Sequence, residues 1–571
     1  MHWLVREIVG RITRRITRRW FARFENATRR CQRTQHRVLF EKLRRNQSSD
    51  FGRSHRLDQI HSIADFRRQV PVTTYDYYLP YIDRVKRGDT SAMFGPDTKV
   101  LMFALTSGTT SEPKYIPVTE QFLSEYRHGW MLWGIRTYDQ HYEVYRCKVL
   151  QLTSDWELWR TEAGIPCGSV SGLTTQGQKR IVRERFCVPA CLQKVHDVTA
   201  KYYGALRCSI TWPVGMATAA NPSTLVGLAK LGDAEKDTLL RDLAEGTLSS
   251  KFDFPPVVRQ QLARTVQQRH PNRVHELEQI ISKTGNLYPK DYWPALQVLS
   301  NWTGGSMGAY LRQYPQYWGD VPVRDIGLVA SEGRMTIPVA DGTAAGVLDS
   351  MHHYFEFIPE GEISSDRPTV LEAHELTEGQ RYFILLTTSS GLYRYNIHDL
   401  VRCTGFYNET PMLEFLNKGS GFSSLTGEKI SEFQVSLAVQ KSLSDLNMAL
   451  TGFTLSPCWA DPPYYGLLVE ADELPGLEAG SRLAESVDRH LIDQNMEYAS
   501  KRATRRLGPL TLKVLPAGTW EQFIRTRLAE RGGTREQYKH PCLAGDLDFI
   551  RQFRVVREVL PSAPPKGVKL A

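Results

Sequence analysis

The chain has 571 residues, 41% of them apolar, and a formal net charge of +10. Its length predicts two to four domains, and it contains no run of about 18 apolar residues, which argues against an integral membrane protein. Residues 1–50 carry 14 Lys or Arg against 4 Asp or Glu; because the rest of the chain is balanced in charge, no nucleic-acid channel is expected there.

The first predicted element is a basic helix near the N-terminus. Its apolar residues recur every four positions among arginines, at Leu4, Ile8, Ile12, Ile16, Trp20 and Phe24. We expect this helix to pack against the protein's own body. The alternatives to this packing are contact with an anionic membrane surface and contact with a partner protein. The recurring charges do not fit a secretory signal.

A loop with an unusual composition follows the first predicted strand. Residues 55–95 have the pattern of short helices and turns, with Pro71 and Pro80 expected as helix breakers. A strand is predicted from Val100 to Leu105, followed by the loop TSGTTSEPKY and a short extended piece. Thr119 is then predicted to cap a helix. A strand, a glycine-containing loop, a short strand and a helix form a setting typical of a phosphate site.

The loop has the residues of an anion-binding nest. Gly108 allows close backbone approach, and Lys114 closes the loop with a positive charge. The candidate phosphate-binding residues are Thr106, Ser107, Gly108, Thr109, Thr110 and Lys114. The loop lacks the second Gly-Lys pair of a Walker loop. A surface turn rich in Ser and Thr is the alternative.

Two carboxylates downstream are further candidates. Residues 222–285 have a helical pattern, and residues 322–415 have the composition of strands. In the second range, Ser331 and Glu332 follow an apolar strand, where α/β sheets bind ligands. One carboxylate together with substrate phosphates is the usual way to hold Mg²⁺. Glu332 is therefore a candidate metal ligand, and a solvated loop glutamate is the alternative.

Asp399 lies among apolar residues of the predicted strand GLYRYNIHDLVRC. An aspartate there is costly unless its carboxylate finds partners, and two adjacent ribose hydroxyls would supply them. The neighbouring His398 leaves open a metal phosphohydrolase, which would need further His and Asp ligands on helices.

The last third of the chain has the pattern of a small α/β domain after a predicted hinge at residues 417–421. Two of its lysines, Lys429 in LTGEKISE and Lys539 in EQYKHP, are flanked by turn-forming residues. A domain rotation would deliver such a lysine to charge that develops at a phosphate site. The alternative is a solvated surface charge.

The nine cysteines are scattered, with no spacing typical of a zinc site. They indicate reduced thiols in a cytoplasmic protein.

Seven motifs, taken in order, resemble the adenylate-forming superfamily. Within it, the chain resembles the Gretchen Hagen (auxin-responsive) family of acyl-acid amido synthetases, as a bacterial-type member. The motifs are TSGTTSEPKYIP, TGGSMGAYL, ASEG, HYFEFIP, GLYRY with DLV, LTGEKISE and REQYKHP. They extend from about residue 100 to residue 541 and so cover most of the chain.

The resemblance implies an α/β fold with a large adenylation domain of mixed sheets and helices and a small, mobile C-terminal domain. Residues 1–50 would form a basic helical segment of the large domain, residues 51–416 would hold the ATP and acyl-acid site, and residues 422–571 would form the small domain after the hinge 417–421. It also implies a two-step ligase reaction. ATP and a carboxylic acid give an acyl-adenylate and pyrophosphate, and an amine, typically an amino acid, then forms the amide.

Site roles follow from the resemblance position by position. Residues 106–110 and Lys114 would hold the ATP phosphates. Ser331 and Glu332 would lie beside the α-phosphate, with Glu332 on Mg²⁺, and Asp399 would bind the ribose. The catalytic residues would be Glu332 and two small-domain lysines, which reach phosphate or carboxylate in one of two domain orientations; these are Lys429 and Lys539.

The chain departs from the family pattern at three positions. Ser111 and His398 stand where the family usually has glycine, and Asn417 replaces a hinge arginine. These departures leave room for low activity or an altered substrate. Two alternatives to an amido synthetase remain: an acyl-CoA ligase, which shares the first half-reaction, and a non-catalytic binding protein of the same fold. The small-domain motifs favour the amido synthetase.

Overall fold

The structure of the protein is a computed structural model. It describes residues 3–106, 113–176, 178, 180–304, 307–363, 365, 367–418, 422, 423, 425, 428, 430–503, 506–531, 534, 535, 538–545 and 547–560.

The α-helices in these ranges are α1 Trp3–Thr28, α2 Cys31–Asn46, α3 Asp50–Ser54, α4 Ile63–Gln69, α5 Tyr75–Lys86, α6 Glu120–Gln140, α7 Val170–Thr175, α8 Arg180–Arg183, α9 Val198–Ser209, α10 Pro222–Ala234, α11 Lys236–Glu245, α12 Pro256–Val266, α13 Pro271–Thr284, α14 Pro289–Tyr292, α15 Gly308–Leu311, α16 Tyr314–Trp318, α17 Glu432–Asp445, α18 Leu477–Gln494, α19 Met496–Ala503 and α20 Thr519–Arg531.

The strands are β1 Val100–Thr106, β2 Lys114–Thr119, β3 Lys148–Gln151, β4 Trp159–Arg160, β5 Pro166–Gly168, β6 Val214–Thr218, β7 Val298–Asn301, β8 Val323–Asp325, β9 Val329–Ala330, β10 Gly333–Arg334, β11 Thr336–Ile337, β12 Gly346–Leu348, β13 Tyr354–Pro359, β14 Leu371–Glu372, β15 Arg381–Thr387, β16 Tyr395–Tyr407, β17 Thr410–Lys418, β18 Phe422–Ser423, β19 Ile430–Ser431, β20 Thr454–Cys458, β21 Tyr464–Glu470, β22 Thr511–Leu515 and β23 Arg557–Val559.

A four-stranded parallel sheet with the order β3-β6-β7-β8 forms one layer of the large body. Its strands are short and almost entirely buried, as expected for a parallel sheet that helices cover. The buried faces of α9 and α10 share a hydrophobic core with this sheet. All four strands point the same way, so the loops that follow them meet at one edge.

Two further sheets complete the large body. A seven-stranded antiparallel sheet has the order β11-β12-β17-β16-β15-β13-β14, and its longest hairpin joins β16 to β17. A third sheet has the order β2-β1-β5-β4. Its first two strands, β1 and β2, flank the loop TSGTTSEPKY, and α6 follows directly. The predicted cap of α6 is confirmed, because the Thr119 hydroxyl accepts a 3.1 Å hydrogen bond from the Phe122 N–H.

The basic helix α1 packs against α6. Phe21 and Phe24 are buried in a hydrophobic cluster with side chains of α6. The Arg14 Nε donates a 2.6 Å hydrogen bond to a carboxylate oxygen of Asp139 at the end of α6. The prediction that this helix packs on the protein's own body is confirmed over residues 14–28.

Pro80 does not end a helix, and the expectation that it would was wrong. It lies inside α5. The helix loses one backbone hydrogen bond at this position, but it buries Tyr78, Ile82 and Val85 completely. The burial of these side chains offsets the lost hydrogen bond.

The C-terminal part is a small α/β unit. Its sheet has the order β20-β21-β22-β23, with β21 and β22 parallel, and α17 and α18 pack on it over a separate hydrophobic core. The predicted class, a large α/β body with mixed sheets and a small α/β C-terminal domain, is confirmed. The division at residues 417–421 stays a prediction, and 419–421 lie outside the described residues.

No helix in the described ranges is long and apolar enough to cross a bilayer. All nine cysteines fall within these ranges and are thiols rather than disulfides.

Candidate active site

The Ser331–Glu332 pair forms the turn of a tight hairpin. Ala330 of β9 pairs with Gly333 of β10, and the pair occupies the two positions between them. The hairpin follows β8, so it lies on the edge of the parallel sheet where the carboxyl ends of the strands meet. Glu332 is 7% exposed. The turn therefore places a largely buried carboxylate at the edge of an α/β sheet that commonly binds ligands.

Asp325, the last residue of β8, holds two loops beside this hairpin. One of its carboxylate oxygens accepts hydrogen bonds from the N–H and the hydroxyl of Thr303, both at 2.6 Å, and the other accepts the Gly327 N–H at 2.6 Å. Burial raises the pKa of Asp325 to about 6, against the opposing effect of these hydrogen bonds. The carboxylate thus ties the loop after β7 to the loop after β8.

The charges of two predicted site carboxylates act on the buried phenol of Tyr395. Burial raises its pKa far above the ordinary range; the negative charge of Glu332 raises it further, and that of Asp399 makes a smaller contribution in the same direction. Asp399 is 3% exposed on β16, and its backbone partner on β17 is Lys418. Two carboxylates that are far apart in sequence, Glu332 and Asp399, therefore influence one buried ring.

Lys114 reaches the same cluster through Tyr75, at the start of α5. The Lys114 ammonium lies 5.4 Å from the centre of the Tyr75 ring, and the Tyr75 hydroxyl accepts a 2.7 Å hydrogen bond from the Tyr115 N–H. Burial raises the pKa of Tyr75, and the charge of Glu332 contributes in the same direction. Tyr75 therefore contacts the lysine that ends the loop and is also influenced by the charge of the hairpin carboxylate.

The loop begins and ends at one place, because Thr106 of β1 pairs with Lys114 of β2. Four of the predicted phosphate-binding residues, Ser107, Gly108, Thr109 and Thr110, lie outside the described residues. Ser111 and Lys429 also lie outside them.

Of the two small-domain lysines predicted for the site, Lys539 is the one that the structure describes. Its ammonium lies 5.2 Å from the centre of the Trp302 ring and 4.8 Å from that of Phe415. Trp302 follows β7 on the carboxyl edge of the parallel sheet. Phe415 lies on β17, opposite Val401 of the strand that carries Asp399. The small domain thus presents a cation at the same side of the large body as the cluster.

His398 shows why a glycine is common before the aspartate. Its φ is +59°, in the left-handed region that costs a residue with a side chain about 1 kcal/mol. The His398 N–H donates a 2.8 Å hydrogen bond to the Asn396 side chain, and the imidazole is exposed. In the described ranges no three His, Cys, Asp or Glu side chains form a metal cluster.

A buried histidine lies under the hairpin. His353, from the motif HYFEFIP, is fully buried. A Cβ atom at Gly333 would lie 3.1 Å from two atoms of its ring. Burial holds the pKa of His353 well below its usual value, so the ring is neutral and packs as an uncharged support.

Three residues of this site were not identified from the sequence. Nothing in PVTTYDYYLP distinguishes Tyr75 from the neighbouring tyrosines, and Tyr395 lies in a strand with several aromatic residues. Asp325 carried a usable signal, since it is an aspartate at the end of a short run with strand composition, between Arg324 and the apolar Ile326.

Three models of one protein family match successive parts of the chain. Sequence models of the GH3 family match this chain as the N-terminal domain over residues 21–323, the central domain over 346–418 and the C-terminal domain over 433–548.

The similar curated proteins are amido synthetases of plants. Jasmonoyl–L-amino acid synthetase JAR6 of Nicotiana attenuata is 25% identical, over 91% of this chain and 92% of its own. Indole-3-acetic acid-amido synthetase GH3.3 of Arabidopsis thaliana is 23% identical, over 90% of each chain.

A solved structure shows the same fold. The GH3.15 acyl acid amido synthetase superposes with a TM-score of 0.83 at 22% identity, covering 95% of this chain and 97% of its own. The N-terminal family model alone spans more than half of the sequence. The chain therefore belongs to the GH3 family, as its motifs predict.

Proposed function

We propose that this GH3-family ligase joins a carboxylic acid to an amino acid at the cluster of Lys114, Glu332 and Asp399. In the first step a carboxylate oxygen of the acid attacks the α-phosphorus of ATP, and pyrophosphate leaves. In the second, the neutral amine attacks the acyl carbon, and AMP leaves as the amide forms. Two buried tyrosines support the proposal: the Lys114 ammonium lies 5.4 Å from the centre of the Tyr75 ring, the charge of Glu332 acts on Tyr75 and Tyr395, and that of Asp399 acts on Tyr395.

The three side chains suit different parts of ATP. Lys114 supplies positive charge for the phosphates, next to a loop whose residues 106–110 we propose as further phosphate ligands. Asp399 has a carboxylate for the ribose hydroxyls. Glu332 is the proposed Mg²⁺ ligand, with Ser331 beside it. A bound Mg²⁺ would offset negative charge on the phosphates, and a single buried carboxylate fits the oxygen ligands it prefers.

The proposal also gives a role to the small domain and places the enzyme in a cell compartment. Residues 422–571 would rotate about residues 417–421, so that Lys429 and Lys539 serve as catalytic cations in different orientations. We place the enzyme in the cytoplasm, because its nine cysteines are thiols and reduced thiols persist there.

The relatives favour an amine as the acceptor. Two of them are named as a jasmonoyl–L-amino acid synthetase and an indole-3-acetic acid-amido synthetase, and the family's C-terminal domain model covers most of this small domain. By their names, these proteins act on carboxylic acids with an apolar body, and we propose an acid of that kind here. An acyl-CoA ligase is the competing function.

The test is pyrophosphate release from ATP and Mg²⁺ over a panel of aryl and fatty acids, each assayed alone, with mixed amino acids and with CoA. We expect release with a subset of the acids, faster turnover with amino acids, and an amide detected by mass spectrometry. Faster turnover with CoA in place of amino acids would support the acyl-CoA ligase. No release that depends on an acid would contradict both.

A further inference from the structure

One loop of the small domain crosses the carboxyl edge of the parallel sheet. The Thr534 and Ser154 hydroxyls are 2.9 Å apart, and the Tyr538 carbonyl accepts a 3.0 Å hydrogen bond from the Asn221 side chain. The next residue along the loop contacts Trp302. Ser154, Asn221 and Trp302 follow β3, β6 and β7, which are neighbours in the sheet. The loop therefore contacts three successive strand ends.

The small domain fixes the backbone on the far side of Lys539. The Thr454 hydroxyl lies 3.0 Å from the His540 Nε2 and donates a 2.7 Å hydrogen bond to the Pro541 carbonyl. The Cys542 N–H donates a 2.6 Å hydrogen bond to a carboxylate oxygen of Glu432, at the start of α17. The segment that follows Lys539 is thus rigidly attached to the small domain.

The ammonium of Lys539, in contrast, lies against rings of the large body. Its distances of 5.2 Å to Trp302 and 4.8 Å to Phe415 fall within the range of cation–π attraction. Trp302 is itself oriented, because its Nε1–H donates a 3.1 Å hydrogen bond to the Gly327 carbonyl in the loop after β8. Phe415 is fixed by the pairing of β17 with β16.

We propose that Trp302 and Phe415 form an aromatic clamp that positions the Lys539 ammonium at the edge of the nucleotide site. The two aromatic faces attract the ammonium and fix its position without removing its charge. Trp302 and Phe415 are positioning residues, and the proposal rests on the catalytic role assigned above to Lys539.

The first test observes the clamp without any assay of activity. Lysines of the intact protein are reductively methylated with ¹³C-formaldehyde, and the Lys539 signal is assigned by its loss in Lys539→Arg. Because its methyl groups would lie over two aromatic rings, the Lys539 signal should appear upfield of the methyl signals of the other lysines. Trp302→Leu and Phe415→Leu should each move it back towards them, whereas Trp302→Phe should keep a shift. An unshifted Lys539 signal in the unmodified sequence would overturn the clamp.

The second test measures whether the clamp affects the rate of either half-reaction. Adenylation is followed by acid-dependent exchange of pyrophosphate into ATP, and transfer by single-turnover amide formation. We expect Trp302→Leu and Phe415→Leu to slow by about fivefold the same half-reaction that Lys539→Ala slows. The other half-reaction should change less than about twofold, since a cation–π contact acts only through the lysine.

A double-mutant cycle separates positioning from a structural effect. In the Lys539→Ala background, Trp302→Leu should have no further effect, because the clamp has lost its lysine. The same fivefold loss in that background would overturn the positioning role. Trp302→Phe is the matched control, since it also loses the bond to Gly327 but keeps a ring.

Failure of the clamp and failure of the proposed function give different results. If Lys539→Ala leaves both half-reactions unchanged, the role of Lys539 is wrong, and so is a clamp that acts through it. If Lys539→Ala slows one half-reaction but the two ring variants do not, the clamp alone is wrong.

Discussion

The Tyr75 hydroxyl accepts a 2.7 Å hydrogen bond from the backbone N–H of Tyr115, the residue after Lys114. This bond attaches the first residue of α5 to the strand that carries the end of the proposed phosphate loop. Tyr75 also presents its ring to the Lys114 ammonium at 5.4 Å. One tyrosine therefore contacts both the backbone directly after Lys114 and the Lys114 side chain.

Tyr75→Phe should weaken ATP binding while the protein stays folded. The variant keeps the ring but leaves the partly buried Tyr115 N–H without this acceptor, which costs about 1–3 kcal/mol. We expect the KM for ATP to rise about tenfold, with a smaller change in kcat. Tyr77→Phe is the control, because Tyr77 lies on the same helix and its hydroxyl contacts His55 instead. An equal effect of both variants would contradict this role of Tyr75.

Gly333→Ala should displace Glu332. The new Cβ would lie 3.1 Å from the ring of His353 and 3.4 Å from Leu386, and a fully buried ring has little space to retreat. We expect pyrophosphate exchange to fall about tenfold or more. The free energy of unfolding should fall by only about 1 kcal/mol.

Gly134→Ala provides the comparison for that variant. It lies in α6, and nothing is within 4 Å of its added Cβ, so activity should be unchanged. Wild-type exchange in Gly333→Ala would show that the hairpin tolerates a shift and that its geometry is not critical.

The stability of the small domain should fall in mild acid because of His540. Burial lowers its pKa to about 4, against about 6.5 in an unfolded chain. The unfolded state therefore binds a proton first as the pH falls, and the stabilisation present above about pH 6.5 is lost progressively towards pH 4. The loss amounts to no more than about 3 kcal/mol.

Urea unfolding at pH 7.5 and pH 5.0 measures this loss. His540→Gln should reduce the difference between the two pH values, although part of it remains because burial also lowers the pKa of His353. His61→Gln, at an exposed histidine, should leave the difference as in the wild type. An unchanged difference in His540→Gln would contradict the assignment.

Local features of the fold were predictable from the sequence. The apolar run before the loop TSGTTSEPKY predicted β1, and Thr119 was predicted as a helix cap because capping depends on a hydroxyl and a backbone N–H three residues away. The prediction that Pro80 ends a helix was wrong, because the burial of apolar side chains of α5 outweighs the backbone hydrogen bond that proline removes. The positive φ of His398 was not predicted, although its place in a glycine position is consistent with it.

The convergence of the site could not be predicted from local patterns. Tyr75 and Glu332 are far apart in sequence, and only the folded chain lets the charge of Glu332 act on the Tyr75 phenol. The resemblance of motifs predicts roles for Glu332 and Asp399 but does not show which residues surround them. The buried tyrosines that link them have the same local signature as tyrosines that only fill the core.

The most direct test of the account is acid-dependent exchange of pyrophosphate into ATP by Glu332→Gln and Asp399→Asn, assayed with an acid that the wild type accepts. Both substitutions keep the size of a buried side chain and remove one charge. We predict that exchange falls at least about a hundredfold in each, while far-ultraviolet circular dichroism and the urea midpoint stay close to those of the wild type. Wild-type exchange in either folded variant would contradict the claim that these carboxylates form the adenylation site.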